Sequence, residues 1–313
     1  MPLRDDWAAS AELIRRIDRS ISSAAFCIEV LLVDDGSQKC ESSVFPSPLS
    51  TIRSISILRL RRSVGHQRAI AIGLMHIKNT ISSDAIVVMD ADGEDTPEGL
   101  EQLLDAFLGN DAVTAIFAER TRRLESLLFR SFYLFYKVLH WALTGVTVRV
   151  GNFSVLPSRY LDALSVMPEL WNHYAAAVFR SKLPLITIPI PRGRRIAGKS
   201  KMNFVTLVSH GLSAIAVFGE IVGARLLTAS LAGALLAGSG IVAVIAIRLF
   251  TDWAIPGWAT YATGLLTIIL VQFMTIAASF TFIVLSSRAN FSFLPVRDYA
   301  SFIAEIVDIY RHE

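Results

Sequence analysis

Two long stretches without a charged residue, Leu226 to Ile247 and Trp258 to Ser287, constrain this chain more than any other feature. Each exceeds the roughly 20 residues that a helix needs to cross about 30 Å of hydrocarbon. A helix apolar on every side cannot coat a water-soluble domain, so the pair predicts a two-helix transmembrane hairpin over 224–288. Arg225 and Arg288 flank its outer ends, while only Arg248 and Asp252 lie in the short connection near Pro256 and Gly257. By the positive-inside rule, the rest of the chain faces the cytoplasm. Met1 to Ser20 carries Arg4, Asp5, Asp6, Glu12, Arg15 and Arg16 where a signal peptide would be apolar. The expectation is an integral protein of a bacterial inner membrane with its main domain on the cytoplasmic face.

The 313 residues are 53% hydrophobic, and the two runs hold the excess. The remainder is enough for one full-sized core. We therefore expect a domain over 1–200, an amphipathic juxtamembrane helix over 201–223, the hairpin, and a tail over 289–313. Cys27 and Cys40 suggest neither a disulfide framework nor a zinc site. The net charge of +3 is modest, with basic clusters at Arg59 to Arg62, Arg120 to Arg123 and Arg192 to Lys201. Such clusters suit phosphate or anionic lipid and give no sign of nucleic acid.

Helical spacing over Trp7 to Arg19 precedes an apolar run, Cys27 to Val33, that ends in Asp34-Asp35-Gly36-Ser37. Further strands are predicted over Ser54 to Leu60, Ala85 to Met89, Ala112 to Ala118, Val148 to Leu156 and Leu185 to Ile190. A helix opens near Gly65, and another starts at Pro97, with Glu98 and Glu101 near its positive end. This alternation predicts an α/β, Rossmann-like, mostly parallel sheet covered on both faces. Ligands in such sheets sit beyond the carboxyl ends of the strands. Asp34-Asp35 and Asp90-Asp92 both fall at such ends. Ser126 to Leu143 is aromatic but interrupted by Arg130, Lys137 and His140, which predicts a surface helix.

Asp90 and Asp92 face one cavity if the chain turns at Gly93, and hard carboxylate oxygens there bind Mg²⁺ or Mn²⁺. DDGS, then Gly65 to Gly73 (GHQRAIAIG), then DADGEDTPE occur in the order and spacing of the family 2 glycosyltransferases of the GT-A fold. The chain resembles in particular their polyprenyl-phosphate, dolichol-phosphate mannose synthase-like branch. That resemblance implies a nucleoside contact at Asp34 or Asp35, the metal and diphosphate at Asp90 and Asp92, and a nucleotide-side contact at Asp95. Arg195 to Lys201 is similar to the family's RxxGxSK segment, which implies diphosphate contacts for Arg195, Ser200 and Lys201. Forked Arg, a hydroxyl and a Lys charge suit phosphate oxygens.

The expected reaction is inverting, metal-assisted transfer from a UDP- or GDP-linked sugar to a polyprenyl phosphate, with Asp92, Arg195 and Lys201 central to catalysis. A lipid phosphate is already anionic near neutral pH and needs no general base. Arg130, Lys137 and Asn152 form the expected acceptor side. Asn152 stands where many family members have an acid, with Glu169 and His173 nearest in sequence as substitutes, His173 more in keeping with a structural role. The chain opens Met1-Pro2-Leu3-Arg4-Asp5-Asp6, matching only the tail of the family's first strand, and Ser63 replaces a common Asn. Two alternatives stay open, transfer to another lipid or glycan acceptor and a catalytically silent binding protein of the same fold. Gly233, Gly238 and Gly240 would let helices approach closely, as in a homo-oligomer.

Overall fold

The structure, a computed structural model, describes residues 1–21, 26–39, 42–120, 137–145, 150–197, 211–252, 255–289 and 293–312. It divides into an α/β unit (Met1–Tyr133, Val148–Val217 and Ser292–Glu313) and a helical unit (Leu134–Thr147 and Phe218–Phe291).

The α/β unit holds eight described strands: β1 (Pro2–Leu3), β2 (Ile28–Asp34), β3 (Ile52–Leu60), β4 (Ala85–Val88), β5 (Ala115–Arg120), β6 (Val150–Pro157), β7 (Leu185–Ile190) and β8 (Ile303–Arg311). They form two four-stranded sheets, in the orders β1-β2-β3-β8 and β4-β6-β5-β7. Helices α1 (Trp7–Ser20), α2 (His66–Thr80), α3 (Pro97–Leu108), α4 (Tyr160–Ser165) and α5 (Tyr174–Arg180) accompany them. Apolar β2 and β3 run parallel, and Leu32, Ile55 and Ile57 are fully buried. Burial on both faces is why the β2 run reads as continuous, whereas β3 interleaves Arg53, Ser54, Ser56 and Arg59 with its buried apolar residues.

The expectation of a mostly parallel sheet needs correction, because the sheets are mixed. Pairings β1 to β2, β2 to β3 and β5 to β7 are parallel, whereas β3 to β8, β4 to β6 and β5 to β6 are antiparallel. Apolar composition reports burial of both faces and carries no strand direction.

The expected tail over 289–313 is also corrected. Residues 293–312 belong to the α/β unit, where β8 covers the outer edge of β3. An uncovered β3 would present a long row of unpaired backbone groups. The Ser56 hydroxyl donates to Asp308 at 2.7 Å, and the Trp171 ring lies 3.9 Å from Phe293 and 4.9 Å from Phe302, centroid to centroid. Pro2 and Leu3 pair with Val33 and Asp34, so a two-residue first strand is present.

In the helical unit, α6 (Gly219–Phe250) and α7 (Trp258–Ala289) pack on each other. Helix α6 thus starts inside the segment expected as a separate juxtamembrane helix, of which residues 201–210 lie outside the described residues and 211–216 are helical. The most apolar windows of α6 and α7 are only 17% and 6% buried. Side chains such as Leu235, Phe250 and Phe282 are at least 73% exposed, a surface suited to hydrocarbon rather than water. Gly233 lies against the Phe273 ring and Gly240 against Leu266, so these two serve the hairpin itself, while Gly238 meets nothing within 4 Å. A helical stretch over 137–144 buries His140 and exposes Val138 and Trp141. Arg225 donates to the Ala142 carbonyl at 2.8 Å near its end.

Candidate active site

The turn after β4 keeps a strand-like alternation. Ala91, Gly93 and Asp95 are buried, while Asp90, Asp92 and Glu94 are partly exposed. Two-residue spacing therefore sets Asp90 and Asp92 on one side of the turn. Gly93 has φ 85°, and a Cβ there would lie 2.4 Å from the Ile196 side chain, so only glycine suits the position. Asp95 faces inward and accepts the Asp90 N–H at 2.8 Å. In this geometry Asp95 shapes the loop. The Thr96 hydroxyl then caps α3 by accepting from Gly99 N–H at 3.1 Å, with Pro97 in the first turn.

The chain leaving β7 is strapped along this turn. Gly193 N–H donates to the Glu94 carbonyl at 2.8 Å, Ile196 N–H to the Asp92 carbonyl at 2.9 Å, and Arg192 pairs with the Glu94 carboxylate. Arg195 is thereby brought to Asp92 from far along the chain. Its Nη1 lies 3.1 Å from Asp92 Oδ2 and its Nη2 2.7 Å from Asp6 Oδ2. Asp6 escaped sequence reasoning, because only its place beside Arg195 marks it out. Asp92's carboxyl is held above the usual carboxylate range by burial and by the neighbouring Asp90 charge, against the opposing pull of Arg195 and Arg192. Ser200 and Lys201 lie outside the described residues.

The first acidic cluster is internally engaged. Asp34 accepts from Ser37 N–H at 2.9 Å and lies 3.7 Å from Arg59 Nε. Asp35 accepts from Val64 N–H at 2.6 Å, Gly65 N–H at 3.0 Å and the Ser63 hydroxyl at 3.0 Å. Ser63, standing where the family commonly has Asn, thus still hydrogen-bonds, and Asp35 builds the loop that leads into α2. Residues 4–6 connect the two acidic turns. Arg4 donates to Ser63 Oγ at 3.1 Å, Asp5 accepts from Gln38 N–H at 2.8 Å, and Asp6 reaches Arg195.

A third group of contacts passes through Asn152, which is 8% exposed. Gln67 Oε1 accepts the Tyr174 N–H at 2.7 Å, which fixes that amide's orientation. Its Nε2 then donates to Asn152 Oδ1 at 3.1 Å, leaving Asn152 Nδ2 facing His66 Nε2 at 3.1 Å. The same His66 nitrogen lies 3.1 Å from Asp90 Oδ1. Desolvation, the largest single influence, would lower the His66 pKa, but the Asp90 carboxylate together with Asp92 and Asp95 outweighs it, so it is raised. His66 lies in the GHQRAIAIG stretch, where nothing in the sequence distinguishes it from its neighbours. Asn152, expected on the acceptor side, instead sits inside a buried network. Of its expected companions, Lys137 belongs to the helical unit, and Arg130 lies outside the described residues. His173 caps α5, accepting Ala176 N–H at 3.4 Å, and Glu169 pairs with Arg180 at 3.3 Å, so both have structural partners.

Two hard carboxylates on one side of a turn suit Mg²⁺ or Mn²⁺, which binds through one or two such groups plus substrate phosphates. Among the described residues no three His, Cys, Asp or Glu side chains are arranged to hold a metal alone. Diphosphate oxygens and water would have to complete the shell.

Residues 9–164 match the model for glycosyl transferase family 2. The chain is 29% identical over 297 residues to the undecaprenyl-phosphate 4-deoxy-4-formamido-L-arabinose transferase of Salmonella choleraesuis, covering 90% of this chain and 83% of that protein. To the transferase of the same name from Edwardsiella ictaluri it is 26% identical over 300 residues, 90% of this chain and 84% of the relative. It is 24% identical over 267 residues to the uncharacterized glycosyltransferase YkcC of Bacillus subtilis, 83% of this chain and 80% of the relative.

Proposed function

Since this chain is a family 2 glycosyltransferase, we propose that it transfers a sugar from a nucleotide-sugar donor to a polyprenyl phosphate at a membrane surface, with inversion and divalent-metal assistance. The observation that carries the proposal is the joining of Arg195 to Asp92 after β4, which sets a guanidinium suited to phosphate beside a carboxylate suited to a divalent ion. The exposed apolar hairpin supports a lipid acceptor, as do the activities for which the Salmonella and Edwardsiella relatives are named.

Asp90 and Asp92 would hold Mg²⁺ or Mn²⁺, which supplies charge neutralisation to the departing nucleoside diphosphate. Arg195 would make forked contacts to the same oxygens, and the resemblance of Arg195 to Lys201 to the family's RxxGxSK segment assigns Ser200 and Lys201 to them as well. Asp34 and the loop organised by Asp35 border the nucleoside. His66 holds Asp90 in place. A lipid phosphate arrives already anionic, its second pKa being about 6, so placement in line with the anomeric carbon is the main requirement. That accounts for an amide at Asn152, where a base is not needed.

The test is to incubate membranes containing the protein with radiolabelled UDP- and GDP-sugars, polyprenyl phosphate and Mn²⁺. Label should enter the organic phase and be lost on chelation. Label appearing only in a water-soluble glycan would replace the lipid-phosphate acceptor with another one.

A further inference from the structure

The Arg195 guanidinium is shared. One nitrogen binds Asp92 at 3.1 Å, another binds Asp6 at 2.7 Å, and its Nε donates to the Ala197 carbonyl at 2.9 Å. The three side chains are between 15% and 21% exposed, shielded enough for the pairs to matter yet open to a ligand. Asp6 is fixed by its neighbours, since β1 pairs with β2 just before it, Asp5 binds Gln38 N–H and the Asp6 carbonyl accepts Ser10 N–H at 3.0 Å in α1. The backbone of the strap is pinned at Gly193 and Ile196, so a change of partner by Arg195 requires only side-chain rotation and no movement of the strap. A cation cannot bind Asp92 Oδ2 at full strength while the guanidinium occupies it.

We propose that Asp6 is a positioning residue of the donor site: it shares Arg195 with Asp92 and retains it when a divalent cation takes Asp92. The inference rests on the proposed metal role of Asp90 and Asp92. Without a cation, Arg195 shields the Asp92 carboxylate. With one, Arg195 stays on Asp6, beside the ion and aimed at the diphosphate. Asp6 thus lowers the cost of uncovering Asp92 without touching metal or sugar.

The test is Mn²⁺ titration alone, read by loss of the free-ion electron paramagnetic resonance signal, on the purified full chain in nanodiscs. Arg195→Gln should tighten Mn²⁺ by roughly two- to fivefold, the range for one partly exposed ion pair, and Asp6→Asn should weaken it by a similar factor. In the Arg195→Gln background, Asp6→Asn should have no further effect, because Asp6 acts only through the guanidinium. Arg195→Lys keeps the charge but cannot fork across two carboxylates, so it too should abolish the Asp6 dependence, which serves if the Gln variant does not fold. An equal Asp6→Asn effect in all three backgrounds would make Asp6 an ordinary charge or ligand and overturn the inference. Unchanged Mn²⁺ affinity in Arg195→Gln would overturn it as well. If no Mn²⁺ binds, or binding survives Asp92→Asn, the metal reading itself fails and the inference falls with it.

Discussion

Asp35→Asn separates a carboxylate that builds the site from one that touches the donor. In the native chain two backbone N–H groups and one hydroxyl converge on a side chain that is 5% exposed. An amide offers one acceptor oxygen, which can keep the short Val64 contact, while its NH₂ end then faces the Gly65 N–H and Ser63. The serine hydroxyl can turn and accept, but the Gly65 N–H is left with only its longer 3.3 Å contact to the retained oxygen. Losing a charged acceptor and leaving one buried donor poorly satisfied costs about 2–4 kcal/mol. At about 2–4 °C per kcal/mol for a domain of roughly 150–250 residues, Tm should fall by about 5–15 °C. Tryptophan fluorescence during heating of the detergent-solubilised protein measures it. A variant melting within about 1 °C of the parent, with weakened nucleotide binding, would refute the loop-building role and restore Asp35 as a direct contact.

Asp92→Ala should reduce label transfer to the lipid phase by about a hundredfold or more, the scale of losing one main electrostatic group. Lys201→Ala should do likewise in the same assay, and full activity in both would remove them from the site. Asn152→Ala leaves the Gln67 amide without its acceptor, so stability should drop by about 1–3 kcal/mol while the KM for polyprenyl phosphate holds steady. A rise in that KM alone would return Asn152 to the acceptor side. Asp18 accepts N–H bonds from Ser50, Thr51 and Ile52, and although burial would raise its pKa, these bonds outweigh it and hold it below the ordinary value. A depressed folded pKa stabilises above the unfolded value of about 3.9, and that contribution disappears as pH falls through the folded value. The Tm gap between the parent and Asp18→Asn should therefore be full at pH 7 and shrink below about pH 4, and a gap independent of pH would contradict this.

How much of this was legible in the chain follows from the range of each interaction. Two uncharged runs suffice to define α6 and α7, because bilayer thickness and backbone hydrogen bonding leave a hydrophobic segment of that length few other forms. The side-by-side placement of Asp90 and Asp92 follows from a period of two, and Thr96-Pro97 marks the start of α3 by local capping chemistry. The family resemblance came from order and spacing along one dimension, which the match over residues 9–164 bears out.

Strand direction, by contrast, belongs to the fold. Nothing in Val150–Pro157 states that it enters antiparallel between β4 and β5, and nothing in Ile303–Arg311 states that it returns to cover β3. Local sequence suggests that a carboxylate can bind a metal or a base, but its partners decide which. Asp35 and Asp95 turn inward to backbone N–H groups, Asp90 meets His66, and Asp92 meets an arginine that only the strap beside the turn delivers. Periodicity and capping act within a few residues and can be read directly. Which charge faces which is settled only when distant segments pack, since an ion pair has no sequence signature apart from the fold that closes it.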